Sequence, residues 1–121
     1  MRIMQSANDT IFKTKIPVYN DGTFRLFKIK QGDEKYPTEE LVDTEKDVDF
    51  EELSLTDKLR FEAEQREIKI TGKIRIAQSK EINSLSVIKI ADEFYSVYNV
   101  YHFINEDGYK QSDITLQEYK K

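Results

Sequence analysis

The chain has one histidine, His102, inside the stretch FYSVYNVYHF at 94–103, among Phe94, Tyr95, Tyr98, Tyr101 and Phe103. Proton transfer by histidine needs a partner group, and a metal centre needs several ligands. There is no second histidine, no cysteine, and no HExxH or CxxC spacing. His102 therefore reads as a surface or half-buried strand residue. The serines lack a GxSxG elbow, and the four glycines are scattered, with no GxGxxG and no GxxxxGK[ST] to cradle a phosphate. DTEKDVD at 43–49 has acidic spacing but lacks the glycine of a calcium loop. The carboxylates around it could pair for hydrolysis, yet they run together without aromatic substrate platforms, which is the pattern of a solvated segment. The sequence is read as that of a non-enzyme, with no catalytic, cofactor-binding or metal-binding residues and no cofactor. FRLFKIK at 24–30 interleaves Phe24 and Phe27 with Arg25, Lys28 and Lys30. Small barrels bind single-stranded nucleic acid with such strands, and this is the alternative reading. The plainer one is an amphipathic strand with phenylalanine inward and lysine outward.

With 121 residues the chain fits one domain, and about two-thirds of its unfolded surface can be buried. At 38% hydrophobic and 35% charged residues it is polar for a globular domain, so part of it is expected to lie outside the core. The absence of cysteine excludes disulfides and thiolate chemistry. No apolar run approaches the roughly 20 residues of a membrane span, and MRIMQSANDT lacks the apolar core of a signal peptide. The total charge is −4, but residues 37–57 alone hold nine Asp/Glu against one Lys. That segment is −8, and the other 100 residues together are +4.

The elements that would position these groups are mainly β. TIFKTKIPVY (10–19) alternates, with Pro17 placing it at an edge or bulge. NDG (20–22) is a tight-turn signal, and TFRLFKIK (23–30) returns, so 10–30 is expected to be a β-hairpin. Residues 31–54 have few apolar anchors and read as a long, mobile acidic loop. LTDKLRFEAEQR, within 55–66, reads as a short helix capped by Ser54 or Thr56, with Leu55, Leu59 and Ala63 on one face. From 67 to 119 the period changes to two. Strands are expected at 67–77 (bent at Gly72), 85–91, 94–103 and 113–119, forming an antiparallel meander of about four strands. Counted by two, one face of 94–103 is Tyr95, Val97, Asn99, Tyr101 and Phe103. The other is Phe94, Ser96, Tyr98, Val100 and His102. Both faces are mixed, which suits a strand packed on one side and covered on the other. Tyr98, Tyr101 and His102 are the candidates for an assembly surface. The fold class is mainly β, a small antiparallel barrel or sandwich of about six strands with one short helix and a long acidic loop.

The segment 73–121 resembles the C-terminal half of tailed-phage head-completion proteins (head–tail connector, head-closure or stopper proteins). The matching features are Ile74-Arg75-Ile76, a polar link ending near Ile82, the run Val87 to Ile90, Tyr95-Ser96-Val97, and Leu116-Gln117-Glu118. LTDKLRFEAEQR sits where that family has a Glu- and Ala-containing segment. The resemblance implies a β-barrel-like subunit that forms a homo-oligomeric ring beneath the portal and adaptor, retains packaged DNA and supports tail attachment. Its implied partners are portal or adaptor and tail-side proteins, with DNA passing through unread and no membrane. Its implied places are the host cytoplasm during assembly and then the head–tail junction of the virion. It also implies an internal loop for docking at 31–54. The candidate interface or channel residues are Glu39, Glu40, Asp43, Glu45, Asp47, Asp49, Phe50, Glu51 and Glu52.

Overall fold

The computed structural model describes residues 16–31 and 39–119. They form six strands and one helix: β1 (Gly22–Gln31), β2 (Glu39–Leu53), α1 (Asp57–Gln65), β3 (Ile70–Ala77), β4 (Ser86–Ile90), β5 (Glu93–Ile104) and β6 (Lys110–Glu118). Every pairing is antiparallel, and the strands close into a barrel in the order β1-β2-β3-β6-β5-β4. The fold is therefore mainly β with a single short helix among the described residues. No helix in them is long and apolar enough to cross a membrane.

Period-two alternation builds the interior. Phe24 and Leu26 of β1, Phe50 of β2, Ile74 and Ile76 of β3, Ile88 of β4, Val97 of β5, and Ile114 and Leu116 of β6 all point inward and are buried together. Burying side chains of this size stabilises by about 1.5–3 kcal/mol each relative to exposure, so this cluster is the main favourable term in the fold. Ile82, from the 78–84 connection, joins the same core. Its neighbour Glu81 is fastened by the Lys46 ammonium at 2.6 Å, and the Lys28 ammonium donates to the Glu81 carbonyl. The connection thus packs onto the barrel instead of looping free.

The helix falls inside 55–66. Thr56 is the N-cap, its hydroxyl accepting the Leu59 N–H at 3.1 Å, with Asp57 in the first turn. Of its side chains only Ala63 is fully buried, so α1 is a polar appendage, not part of the barrel wall.

Several expectations are corrected. Residues 39–53 are not a mobile loop; they form β2, the longest of the strands, paired to β1 from Gly22–Phe50 to Gln31–Glu39. The remainder of that expectation, 32–38, lies outside the described residues. The acids did not prevent strand formation because they alternate. Val48 and Phe50 take the core face while Asp47 and Asp49 take the solvent face, where β1 offers Arg25 and Thr23 opposite them. Among the described residues β1 accordingly pairs with β2 and β4. Residues 16–20 are without regular structure, and 10–15 lie outside the described residues.

Of the four strands expected as a meander after residue 66, only β4, β5 and β6 form one. β3 pairs with β6, not with its successor β4, and this closes the ring. Gly22 stands at the start of β1, and its role is space, not positive φ: a Cβ there would meet the Phe50 ring 2.6 Å away. Gly72 marks the bend expected in β3, where the register with β6 shifts between Ile70 and Gly72. The β4–β5 turn places both Ala91 and Asp92 at positive φ, 49° and 68°, as a two-residue hairpin turn of this twist requires.

Candidate functional site

The stretch 94–103 is β5, but counting by two fails along it. The register with β6 shifts between Val97 and Asn99, so Tyr98 is an extra residue, a β-bulge. Tyr95 and Val97 face the core, and after the bulge Val100 does so as well. Tyr101 and Phe103 then stack on the outer face, with ring centroids 5.5 Å apart and planes 12° apart. His102 turns the other way and contacts Ser112. The three candidate assembly residues therefore form no common patch. Tyr101 is 62% exposed on the outer face. Tyr98 accepts a 3.3 Å hydrogen bond from Arg66 just past α1, and His102 lies on the opposite side of the strand from Tyr101.

His102 Nδ1 is 2.6 Å from the Ser112 hydroxyl oxygen, a spacing seen in nucleophile–base pairs. Ser112 is fully buried, however, and its oxygen also accepts the Ser79 N–H at 3.4 Å. No substrate can reach it, and the pair ties β5 and β6 to the 78–84 connection. Among the described residues no group of three or more His, Asp or Glu is placed to hold a metal ion.

Most of the basic strand 24–30 is engaged within the fold, and Lys30 is exposed. Phe24 and Leu26 are core residues. Phe27 packs edge-on against Phe94, with centroids 5.3 Å apart. Arg25 is clamped between Asp47 (Nε to Oδ1, 2.7 Å) and Asp43 (Nη1 to both oxygens, 3.2 Å). These two carboxylates raise the Arg25 pKa further. Arg25 is thus a partner for the acidic strand.

The nine acidic-segment candidates separate into distinct roles. Phe50 is not available to a partner: it is 4% exposed in the core, its ring 6.2 Å from that of Phe24. Asp43 and Asp47 hold Arg25, and Asp49 accepts the Thr23 hydroxyl at 2.6 Å. The Asp43 carboxylate also accepts the Glu45 N–H at 2.7 Å, the main reason its pKa lies below the ordinary value, with Arg25 adding to the effect. Glu45 sits at φ 61° in a bulge where Thr44 and Glu45 have no counterpart between Leu26 and Phe27 of β1. Glu52 gives its backbone N–H to Asp21. Glu51 and Glu52 lie in the short span where β2 joins β3. Glu39 pairs through its backbone with Gln31. Glu40 is exposed.

The outer end of the β1–β2 hairpin is an arm. β1 meets β4 only over Arg25–Lys28, and β2 meets β3 only over Glu51–Leu53. Beyond these, Ile29–Gln31 and Glu39–Leu41 pair with each other, with one further bond from the Ile29 N–H to the Leu85 carbonyl at 2.9 Å. Sequence reasoning located the acidic segment but missed that it forms a paired strand. The signal was the spacing of Asp43, Glu45, Asp47, Asp49 and Glu51, every second residue.

A cleft of about 550 Å³ opens where β2 joins β3, floored by core residues such as Phe50, Ile74 and Leu116 and edged by Arg60 and Lys73. Glu52, Ser54 and Thr71 also line it, and no hydrogen bond joins their side chains among the described residues. Compared with protein-family models the chain matches none, and no curated protein matches it in sequence.

Proposed function

We propose that this chain is a non-enzymatic assembly subunit of a tailed-phage particle, of the head-closure kind. It acts in a homo-oligomeric ring under the portal and adaptor, where it retains packaged DNA and supports tail attachment. The observation that carries this reading is the acidic hairpin arm on a closed barrel. The barrel interior is filled with its own side chains, so its business with other molecules is conducted outside. The carboxylates are fixed on strand β2, and Asp43 and Asp47 edge an open cleft shared with Arg25 and Lys89. In a ring, repeated acidic strands near the passage would repel the DNA backbone and let it move without sticking. The reading needs no cofactor. It places the subunit in the host cytoplasm during assembly and at the head–tail junction afterwards.

Deleting the coding sequence from the producing phage tests this. The expected result is DNA-leaking heads without tails alongside free, complete tails. Infectious particles in normal yield would refute the proposal.

A further inference from the structure

Among the described residues the arm leaves one strand edge open. β2 is paired along one side to β1, but on its other side only Glu51, Glu52 and Leu53 meet β3. Among the described residues, Glu40 to Phe50 have no backbone partner on that second side. In an antiparallel strand the N–H and C=O groups of alternate residues point to opposite sides. About half of the main-chain groups in this stretch therefore face outward, as a template for an added strand.

The side chains say which strand would fit. Within 40–50 the exposed charges are Glu40, Asp43, Glu45, Asp47 and Asp49 against Lys46 alone. Lys46 is turned to Glu81, and Asp43 and Asp47 share Arg25. Glu40 and Glu45 form no ion pair among the described residues. A second copy of this same edge would set carboxylate against carboxylate, which disfavours pairing. The bulge at Thr44 and Glu45 further blunts the edge against indiscriminate addition.

We propose that the free edge of β2 between Glu40 and Phe50 accepts an extended, lysine- or arginine-bearing strand of another protein. Main-chain hydrogen bonds supply the docking, and the carboxylates of Glu40 and Glu45, which form no ion pair among the described residues, select a basic partner. This deepens the assembly reading and rests on it only for where the partner is found. The binding stands on the edge itself, so the two can fail separately.

The test uses the full chain, labelled with nitrogen-15, and a blocked peptide of about ten residues alternating lysine with valine, the length of strand such an edge can hold. Amide shifts and hydrogen-exchange protection are read along the protein. The expected result is perturbation and new protection confined to 40–50. The same peptide N-methylated at alternate backbone nitrogens keeps its charge and loses its donors, and it should not bind. The double variant Glu40→Gln/Glu45→Gln, both at exposed positions, should keep the spectrum's dispersion and weaken the peptide about fivefold at low salt. No perturbation at 40–50 would overturn the proposal. So would equal binding of the N-methylated peptide, which would mean adsorption by charge alone. Concentration-dependent protection of 40–50 without peptide would assign the edge to a second copy and overturn it as well.

Discussion

Arg75 of β3 and Asp113 of β6 stand opposite each other in the register and form a two-pronged ion pair, Nε to Oδ1 at 2.7 Å and Nη2 to Oδ2 at 2.9 Å. The Asp113 side chain is only 8% exposed although it faces outward from the barrel. The Arg75 guanidinium also lies 4.9 Å from the centroid of the Phe103 ring, on which Tyr101 stacks. Next along β6, Gln111 donates to the Tyr19 hydroxyl at 2.9 Å, so the segment before β1 is tied to the same strand. This is why β6 is buried from Gln111 through Leu116, on both faces. The hydrogen bonds from Arg75 to Asp113 raise the arginine's pKa above its ordinary value.

Replacing Arg75 by Ala would leave the Asp113 carboxylate buried without its cation. The expected loss of stability is about 2–4 kcal/mol, read from urea denaturation. Arg75→Lys keeps the charge but not the fork, and should fall between the two. The double variant Arg75→Ala/Asp113→Asn should lose less than the two single variants added together. Additive losses would mean that the ion pair carries no coupling.

At Gly22 the constraint is steric. An alanine Cβ would sit 2.6 Å from Cζ of Phe50, whose ring is held in the core beside Phe24. Gly22→Ala is expected to cost about 1–3 kcal/mol through displacement of that ring. Phe50→Leu would make room, so the glycine substitution should cost much less in that background. An unchanged cost would locate the strain elsewhere.

Acid should loosen the arm first. The pKa of Asp43 is lowered from its ordinary 3.8, chiefly by the Glu45 N–H, and that of Glu81 from 4.5, chiefly by Lys46. A carboxyl group depressed in the folded state adds stability that is complete above its unfolded pKa and is lost as pH falls through the folded one. The denaturation midpoint should therefore be insensitive to these groups from neutral pH down to about 5 and decline below about 4. Asp43→Asn and Glu81→Gln should each flatten that decline. An acid limb unchanged in both variants would show that these bonds do not persist in solution.

Much of the barrel wall was legible. Ile74 and Ile76, Ile114 and Leu116, and Phe24 and Leu26 alternate cleanly, and Thr56 announces its helix. β2 was hidden because Asp and Glu are poor strand formers taken singly. The arginine and threonine that compensate Asp43, Asp47 and Asp49 lie on another strand. The Tyr98 bulge was hidden because both faces of 94–103 mix apolar and polar residues, so the step from Val97 to Val100 breaks no visible pattern. The Arg75–Asp113 pair was hidden because it depends on β3 passing over β4 and β5 to reach β6. Of the candidate site, the acidic surface was readable. That Phe50 belongs to the core, and that Tyr98, Tyr101 and His102 point apart, required the register.

The most direct test of the central claim is immunogold electron microscopy of tailed particles induced from the source strain, with an antibody to this chain. The assembly reading predicts label at the junction of head and tail. Particles labelled for a known capsid protein but bare at that junction would contradict it.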